Sequence, residues 1–148
     1  MESRFNAYLS RTISIRDTSV RKSKKENFYH GILLGLLSHR EDWYIRSNAE
    51  SGDGYSDILV EIEEEGIGIV IEVKYPDSNV KSEGKKSLYE TLEKGCRDSL
   101  QQIDTKGYEE KLRQDGLETI LKYGIACNRK KCRVMLKSCF LNRPKSSL

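Results

Sequence analysis

Three charged residues interrupt a pair of segments that are otherwise rich in β-branched residues. The stretch Ser56 to Tyr75, SDILVEIEEEGIGIVIEVKY, has such a segment on each side of an acidic turn, which is the pattern of a β-hairpin. Asp57, Glu72 and Lys74 lie in these segments, at positions where a plain hairpin would carry Thr or Val. Packing does not explain two carboxylates and an ammonium group in strands that are otherwise apolar and expected to be buried.

The hairpin pattern gathers all three charges on one face of the sheet. A turn at Glu65–Gly66 pairs Asp57 with Lys74. A turn at Glu64–Glu65 pairs Asp57 with Glu72 instead. Side chains alternate along a strand, so both registers give the same two faces. One face is apolar and consists of Ile58, Val60, Ile62, Ile67, Ile69, Ile71 and Val73. The other face carries Asp57, Leu59, Val70, Glu72 and Lys74.

Carboxylates that lie close together on a buried face repel each other unless a positive charge compensates. Lys74 supplies one positive charge, and a divalent cation would supply two more. Magnesium typically takes one or two carboxylates together with water and substrate phosphates. We therefore interpret Asp57, Glu72 and Lys74 as a candidate metal site beside a lysine. The alternative is an ion-pair ladder on an exposed sheet face, because a Glu-x-Lys triplet is common by itself.

Three further features favour the metal-site interpretation. The glycine-rich loop SGDGYS precedes Asp57 and would let a phosphate backbone approach closely. Glu26 lies in the first turn of a predicted helix, on the side that faces the sheet, where a carboxylate is unexpected. Gln102 lies at the edge of the apolar stripe of a later helix, whereas Gln101 points to solvent.

The remaining elements follow from hydrophobic periodicity and turn residues. We expect a short amphipathic helix over residues 2–11, a second helix from about Lys24 to Ser38, and a strand from Asp42 to Asn48. The hairpin is followed by a long helix from about Leu88 to Ile103, a shorter helix from Tyr108 to Asp115, and two final strands. This order predicts a mixed α/β or α+β sheet flanked by helices.

Several segments resemble motifs of the PD-(D/E)XK phosphodiesterase superfamily, whose restriction-endonuclease-like core is α-β-β-β-α-β. They are KENFYHGILLGLL, ESGDGYSDI, IVIEVKY, SLQQIDTKGY and YGIAC, in this order over residues 20 to 137. More specifically, they resemble the nuclease-like domain often found after an AAA-ATPase-like domain. Ser56 stands where the superfamily's name has proline. We expect an N-terminal helix and connection over residues 1–20, and over residues 21–148 a domain of this fold with an extra C-terminal strand.

The resemblance implies a role for each residue of the acidic cluster. Asp57 and Glu72 would bind Mg²⁺ or Mn²⁺, helped by the backbone carbonyl of Val73. Glu26 would complete the cluster. Lys74 would position or activate the attacking water.

Further residues are candidates for contact with the site or the substrate. The resemblance implies that Gln102 and Tyr108 support the site from the second helix of the core. His30 would hydrogen-bond a site carboxylate or cap the edge of the core. Tyr55 would contact substrate or pack in the glycine-rich loop. Lys106 would reach a phosphate or remain solvated at the end of its helix.

The predicted activity is metal-dependent hydrolysis of nucleic-acid phosphodiester bonds, with DNA favoured over RNA. One alternative is a non-catalytic nucleic-acid-binding or regulatory module of the same fold. Another is an accessory domain that docks on an ATPase partner through its N-terminal helix. The formal net charge of +3, from 26 basic and 23 acidic residues, does not by itself indicate nucleic-acid binding. The basic clusters Arg21 to Lys25 and Asn128 to Arg133 are of a kind that is more often solvated surface.

Length and composition limit the class of protein. A chain of 148 residues fits one domain, and 36% hydrophobic residues in periodic runs exclude a disordered chain. The longest apolar run, Ile32 to Leu37, is far too short to cross a bilayer. The N-terminus lacks the apolar core of a secretory signal, so we expect a cytoplasmic protein with no membrane partner.

The four cysteines, Cys96, Cys127, Cys132 and Cys139, lack CxxC and zinc-finger spacing. Cys127 and Cys132 would face each other if CNRKKC forms a hairpin that turns at Arg129–Lys130. A cross-strand disulfide and half of a metal site are both conceivable. A reducing cytosol favours two reduced thiols in neighbouring strands.

Overall fold

A computed structural model describes residues 1–14, 22–49, 56–76 and 85–140, without the side chains at 22, 23, 48, 49, 56, 57 and 85–87. In these ranges the chain forms helices and strands joined by short turns, including a 3₁₀ turn at Glu63–Glu65. In chain order the elements are α1 (Glu2–Thr12), α2 (Lys22–Leu37), β1 (Tyr44–Ala49), β2 (Ser56–Ile62), β3 (Ile67–Lys74), α3 (Lys85–Lys106), α4 (Tyr108–Gln114), β4 (Thr119–Asn128) and β5 (Lys131–Phe140).

The strands form one mixed sheet in the order β1-β2-β3-β4-β5. Neighbouring strands run antiparallel, except that β3 and β4 run parallel. A parallel pair needs a crossover connection, and the segment with α3 and α4 provides it. The elements from α2 to β4 follow the α-β-β-β-α-β order, and β5 is the extra C-terminal strand. The predicted α/β class and restriction-endonuclease-like core are confirmed.

Two layers of helices cover the sheet, and they bury two larger cores and one smaller cluster. The first core lies beneath α1 and α2 and includes Phe5, Leu9, Tyr29, Leu33, Ile58, Val60, Ile62, Ile71, Val73 and Ile125. The second core lies beneath α3 and α4 and includes Leu59, Val70, Ile103, Leu112, Leu117 and Ile120. The hairpin residues therefore divide between the two faces as the alternation of side chains predicts.

The N-terminal helix belongs to the first core. Phe5 and Leu9 are buried against the sheet. The side-chain amide of Asn6 donates to the carbonyl oxygen of Cys132 (3.0 Å) and accepts from its backbone N–H (2.8 Å). These bonds satisfy two backbone groups on the outer edge of β5, which has no neighbouring strand on that side among the described residues. The apolar face of α1 is thus covered by its own sheet. Docking on an ATPase partner through the N-terminal helix stays a prediction, and it would use the outer side of α1.

Strands β2 and β3 adopt the second of the two predicted registers, in which Asp57 pairs with Glu72. Their connection is the four-residue segment Glu63–Gly66 rather than a two-residue turn at Glu64–Glu65. Gly66 has a φ of 65°, in the left-handed region that glycine adopts without the steric penalty of a Cβ. This glycine ends the 3₁₀ turn and so sets the register.

Helix α3 packs directly on the backbone of β4. A Cβ at Gly124 would overlap the carbonyl oxygen of Cys96 and lie 2.9 Å from Cγ of Leu100. A Cβ at Gly95 would lie 2.9 Å from Cβ of Ala126. The absence of side chains at these two glycines therefore sets how closely α3 approaches the sheet.

Helices α2 and α3 begin before their predicted first residues, and α3 also ends later than predicted. Helix α3 runs from Lys85 to Lys106 rather than from Leu88 to Ile103, so Lys106 is its last residue. Helix α2 begins at Lys22, which places Glu26 in the second turn rather than the first. Within the described ranges, no helix has the length and apolar character needed to cross a membrane.

Candidate functional site

Glu72 is a carboxylate buried on the face of the sheet that α3 covers. Its exposed fraction is 1%, and neither side-chain oxygen accepts a hydrogen bond from the part of the chain that the structure describes. Nζ of Lys74 lies 3.5 Å from Oε1, and Nζ of Lys106 lies 3.5 Å from Oε2. Buried carboxylates are normally hydrogen-bonded. Glu72 is instead flanked by two ammonium groups at a longer distance, and its two oxygens accept no hydrogen bond from the described residues.

The two ammonium groups reach Glu72 from different layers of the fold. Lys74 follows two residues later on β3 and therefore lies on the same face. Val73, between them, packs its side chain into the first core. Lys106 comes from the end of α3. The sequence predicts that Lys106 reaches a phosphate or remains solvated. The structure shows it largely buried beside Glu72, so the solvated alternative is wrong.

A row of polar residues crosses three strands at Glu72. The register places Asp57 of β2 opposite Glu72, and Asn48 of β1 opposite Asp57. Residues that are directly opposite in an antiparallel pair share one face. The side chains of Asp57 and Asn48 lie outside the described atoms, so the backbone alone gives this placement. Sequence reasoning missed Asn48, because the register of β1 against β2 has no signal in the hairpin pattern.

Glu26 approaches the end of β3 from the opposite layer. Its Oε1 accepts a hydrogen bond from the backbone N–H of Tyr75 at 3.2 Å, immediately after Lys74. Nζ of Lys25 lies 4.6 Å from the centre of the Tyr75 ring. These contacts attach the start of α2 to the end of the strand that carries Glu72 and Lys74.

The other candidate residues lie at different distances from this centre. Buried His30 has its Nε2 2.8 Å from the hydroxyl oxygen of Ser47 on β1. Gln102 is half-buried one turn before the end of α3, and its neighbour Gln101 is exposed, as predicted. Tyr108 packs against the second core. Tyr55 and the glycine-rich loop lie outside the described residues.

The donor atoms fit a hard divalent cation. Such cations prefer oxygen ligands, and both oxygens of buried Glu72 lack a hydrogen-bond donor among the described residues. Within those same residues, no three His, Cys, Asp or Glu side chains gather as a metal-binding group. The strand register places Asp57 opposite Glu72. The side chain of Asp57 is not among the described atoms, so the absence of such a metal-binding group does not include Asp57.

A second charged cluster, which sequence reasoning missed, ties α3 and α4 to the sheet. Nζ of Lys122 on β4 lies 2.7 Å from Oδ1 of Asp104 and 2.5 Å from Oε2 of Glu109. Lys122 is only 3% exposed. Burial acts to raise the pKa of Asp104, but hydrogen bonds from Lys122 and Lys137 lower it below its ordinary value. The hydrogen bond from Lys122 also lowers the pKa of Glu109. The cluster fixes the part of α3 that ends in Lys106.

This cluster predicts a specific acid sensitivity. Because both carboxyl pKa values are lowered by folding, the pairs stabilise the protein above the unfolded pKa values, near 4. That stability is lost as the pH falls through the lower folded values. We expect Lys122→Met to reduce the free energy of unfolding at pH 7 by about 1–3 kcal/mol and to flatten its fall between about pH 5 and pH 3. The expected loss of stability is smaller than for a fully buried ion pair, because Asp104 and Glu109 are 39% and 33% exposed and solvent screens their charges.

Urea unfolding at pH 7 and at pH 4 measures this effect. The matched control is Lys137→Met, since Lys137 also pairs with Asp104 but lies on the surface. Its free energy of unfolding should change by less than half as much. Equal losses in the two variants would contradict the assignment of Lys122 as the centre of the cluster.

The fold and the polar row together define a restriction-endonuclease-like domain with an acidic hairpin followed by a lysine. The family model of the PD-(D/E)XK nuclease superfamily matches residues 24–137, and the chain belongs to this superfamily. The match includes every candidate site residue and excludes α1. No curated protein and no solved structure matches the chain.

Proposed function

We propose that the protein is a nuclease that hydrolyses phosphodiester bonds in nucleic acid, DNA in preference to RNA, with Mg²⁺ or Mn²⁺. Membership of the superfamily supports a nucleic-acid substrate. The observation that carries the proposal is buried Glu72, opposite Asp57 and between two ammonium groups at 3.5 Å. Structural ion pairs in a protein interior make direct hydrogen bonds at about 2.7–2.9 Å. The looser arrangement around Glu72 suits a carboxylate that takes a further ligand.

The charged residues of the hairpin would have two roles, metal binding and orientation of the attacking water. Asp57 and Glu72, with the backbone carbonyl of Val73, would hold the cation. When bound, the cation would supply the positive charge that polarises the phosphate and lowers the pKa of water. Lys74 would orient the attacking water and stabilise the negative charge that develops on the phosphate. Glu26, held by the backbone of Tyr75, would complete the acidic cluster.

The residues on α3 and α4 would act on the substrate side. A cation on Glu72 would repel the ammonium group of Lys106, which we propose then pairs with a substrate phosphate. Gln102, one turn earlier, and Tyr108 would support the phosphate backbone from the same layer. Tyr55, in the glycine-rich loop, and His30, on α2, would contact the substrate.

Cleavage of labelled nucleic acids tests the proposal. Single- and double-stranded DNA and RNA of one sequence would be incubated with Mg²⁺, with Mn²⁺ or with a chelator. We expect cleavage of DNA that requires either metal. Glu72→Gln keeps the size of the side chain but removes its charge, so magnesium affinity measured by calorimetry should fall at least about tenfold and cleavage should be lost. Glu63→Gln, in the exposed turn of the same hairpin, is the matched control and should change neither.

The same experiment distinguishes the rival function. Nucleic-acid binding without cleavage by the parent protein in either metal, with the same affinity in Glu72→Gln, would replace the nuclease with a non-catalytic binding module. Any ATPase partner of such a module would have to bind elsewhere than the apolar face of α1.

A further inference from the structure

Two buried thiols face each other across the last hairpin of the sheet. Cys127 on β4 pairs with Cys132 on β5, and their exposed fractions are 0% and 5%. Both are free thiols. We propose that the pair is an oxidation site, at which a peroxide converts the two thiols into a reversible disulfide. The proposal is independent of the nuclease activity.

The backbone shows that this pair has the geometry a disulfide needs. The N–H and the carbonyl oxygen of Cys132 are both bonded to the side chain of Asn6, so they point away from β4. Cys127 and Cys132 therefore form a non-hydrogen-bonded pair, in which Cα atoms lie about 4.5 Å apart and side chains are closest. Disulfides join Cα atoms separated by about 4.4–6.8 Å. The backbone spacing typical of such a pair therefore lies within the range that disulfides join.

The hairpin turn holds the two strands in this register. The turn is Arg129–Lys130, and Arg129 has a φ of 53°. The hydroxyl group of Tyr29 donates to the carbonyl oxygen of Arg129, which ties the turn to α2. The two thiols therefore lie in a part of the sheet that is fixed by both α1 and α2.

The two thiols differ in access. A cavity of about 390 Å³ lies between α1, α3 and the hairpin, and Cys132 is among the residues that line it whereas Cys127 is not. This volume accommodates a peroxide molecule, which is little larger than water. Burial and a hydrogen bond with the Cys132 thiol raise the pKa of Cys127 well above its ordinary value. Cys132 is thus the thiol that meets the oxidant, and Cys127 is the one that resolves the product.

The chemistry balances with one molecule of hydrogen peroxide. The Cys132 thiolate attacks one peroxide oxygen, the O–O bond breaks, and a sulfenic acid forms while the other oxygen leaves as hydroxide and becomes water. The Cys127 thiol then loses its proton and attacks the sulfenic sulfur. The S–O bond breaks, a second water leaves, and the S–S bond forms. A reducing dithiol restores both thiols by exchange.

The other two cysteines, Cys96 and Cys139, could react with the peroxide instead. Sγ of Cys96 donates to the carbonyl oxygen of Arg133 at 3.1 Å, and burial raises the pKa of Cys96 to about 11. Cys139, near the end of β5, is the more exposed thiol. A non-specific oxidation would therefore reach Cys139 first and join it to a second molecule.

Peptide mapping of the full-length chain after peroxide treatment tests the proposal. Free thiols are alkylated in denaturant, and trypsin cuts at the basic residues between Cys127 and Cys132. The two peptides therefore stay joined only through a disulfide. We expect the joined peptide in the parent protein, its disappearance after a reducing dithiol, and its persistence in Cys139→Ser. Cys132→Ser should abolish it.

A second variant keeps the test decisive if Cys132→Ser folds poorly. In Cys127→Ser the sulfenic acid on Cys132 has no resolving thiol, so we expect dimedone to label Cys132 after peroxide treatment. Complete alkylation of Cys127 and Cys132 under conditions that oxidise Cys139 would overturn the proposal. So would dimedone labelling of Cys96 or Cys139 with none on Cys132.

Discussion

Replacing Lys74 by alanine is expected to slow cleavage by about 10²- to 10⁴-fold while magnesium affinity stays the same or becomes slightly tighter. The ammonium group of Lys74 lies 3.5 Å from Oε1 of Glu72, where it competes with a cation, but its proposed role is towards the attacking water. Asp57→Asn should instead reduce both cleavage and magnesium affinity, because it removes a charged ligand at constant size. Single-turnover cleavage rates and calorimetric magnesium titration separate the two outcomes.

Lys94→Ala is the matched control for this comparison. Lys94 lies on the exposed side of α3, and its pairing with Asp98 is on the surface, so neither measurement should change. If the parent protein binds no detectable magnesium and both Lys74→Ala and Asp57→Asn melt at lower temperatures than the parent, the cluster is a structural ion-pair network.

Gly124→Ala is expected to reduce the free energy of unfolding by about 1–3 kcal/mol. The added Cβ would overlap the carbonyl oxygen of Cys96, which is backbone and has no alternative rotamer. Gly35→Ala makes the same chemical change in α2, where nothing lies within 4 Å of the new Cβ. Because alanine favours helix over glycine by up to about 1 kcal/mol, that variant should be stabilised. Urea unfolding of both variants measures the two opposite shifts.

The outcome at Gly124 also bears on the candidate site. If α3 lifts from β4 to accommodate the methyl group, Lys106 withdraws from Glu72 with it. A Gly124→Ala variant with the stability of the parent would mean that the contact with Cys96 does not set the position of α3.

The sequence was sufficient to place the hairpin charges on one face, because alternation gives the same answer for either register. It was not sufficient to choose between Lys74 and Glu72 as the partner of Asp57. That choice depends on the left-handed conformation of Gly66, which lengthens the connection to four residues. The pattern of residue types does not distinguish such a turn from a shorter one.

The contacts that cross between layers were also beyond prediction. The position of Lys106 beside Glu72 depends on how α3 lies across the sheet and on three more residues of helix than the apolar stripe indicates. Lys122 interrupts an apolar strand just as Glu72 does, and by pattern alone it is equally suited to a site. Its partners Asp104 and Glu109 become neighbours only when α3 and α4 pack on β4.

The crossover between β3 and β4 also bears on the order in which the protein folds. Asp57 and Glu72 are brought together by adjacent strands of one hairpin, a structure that forms in about 1–10 μs. Lys106 arrives only after the chain has closed the longer loop through α3, which is a slower step. We therefore expect the two carboxylates to meet before their second counter-charge is present. Docking of α3 would then bring the second ammonium group to Glu72 late in folding.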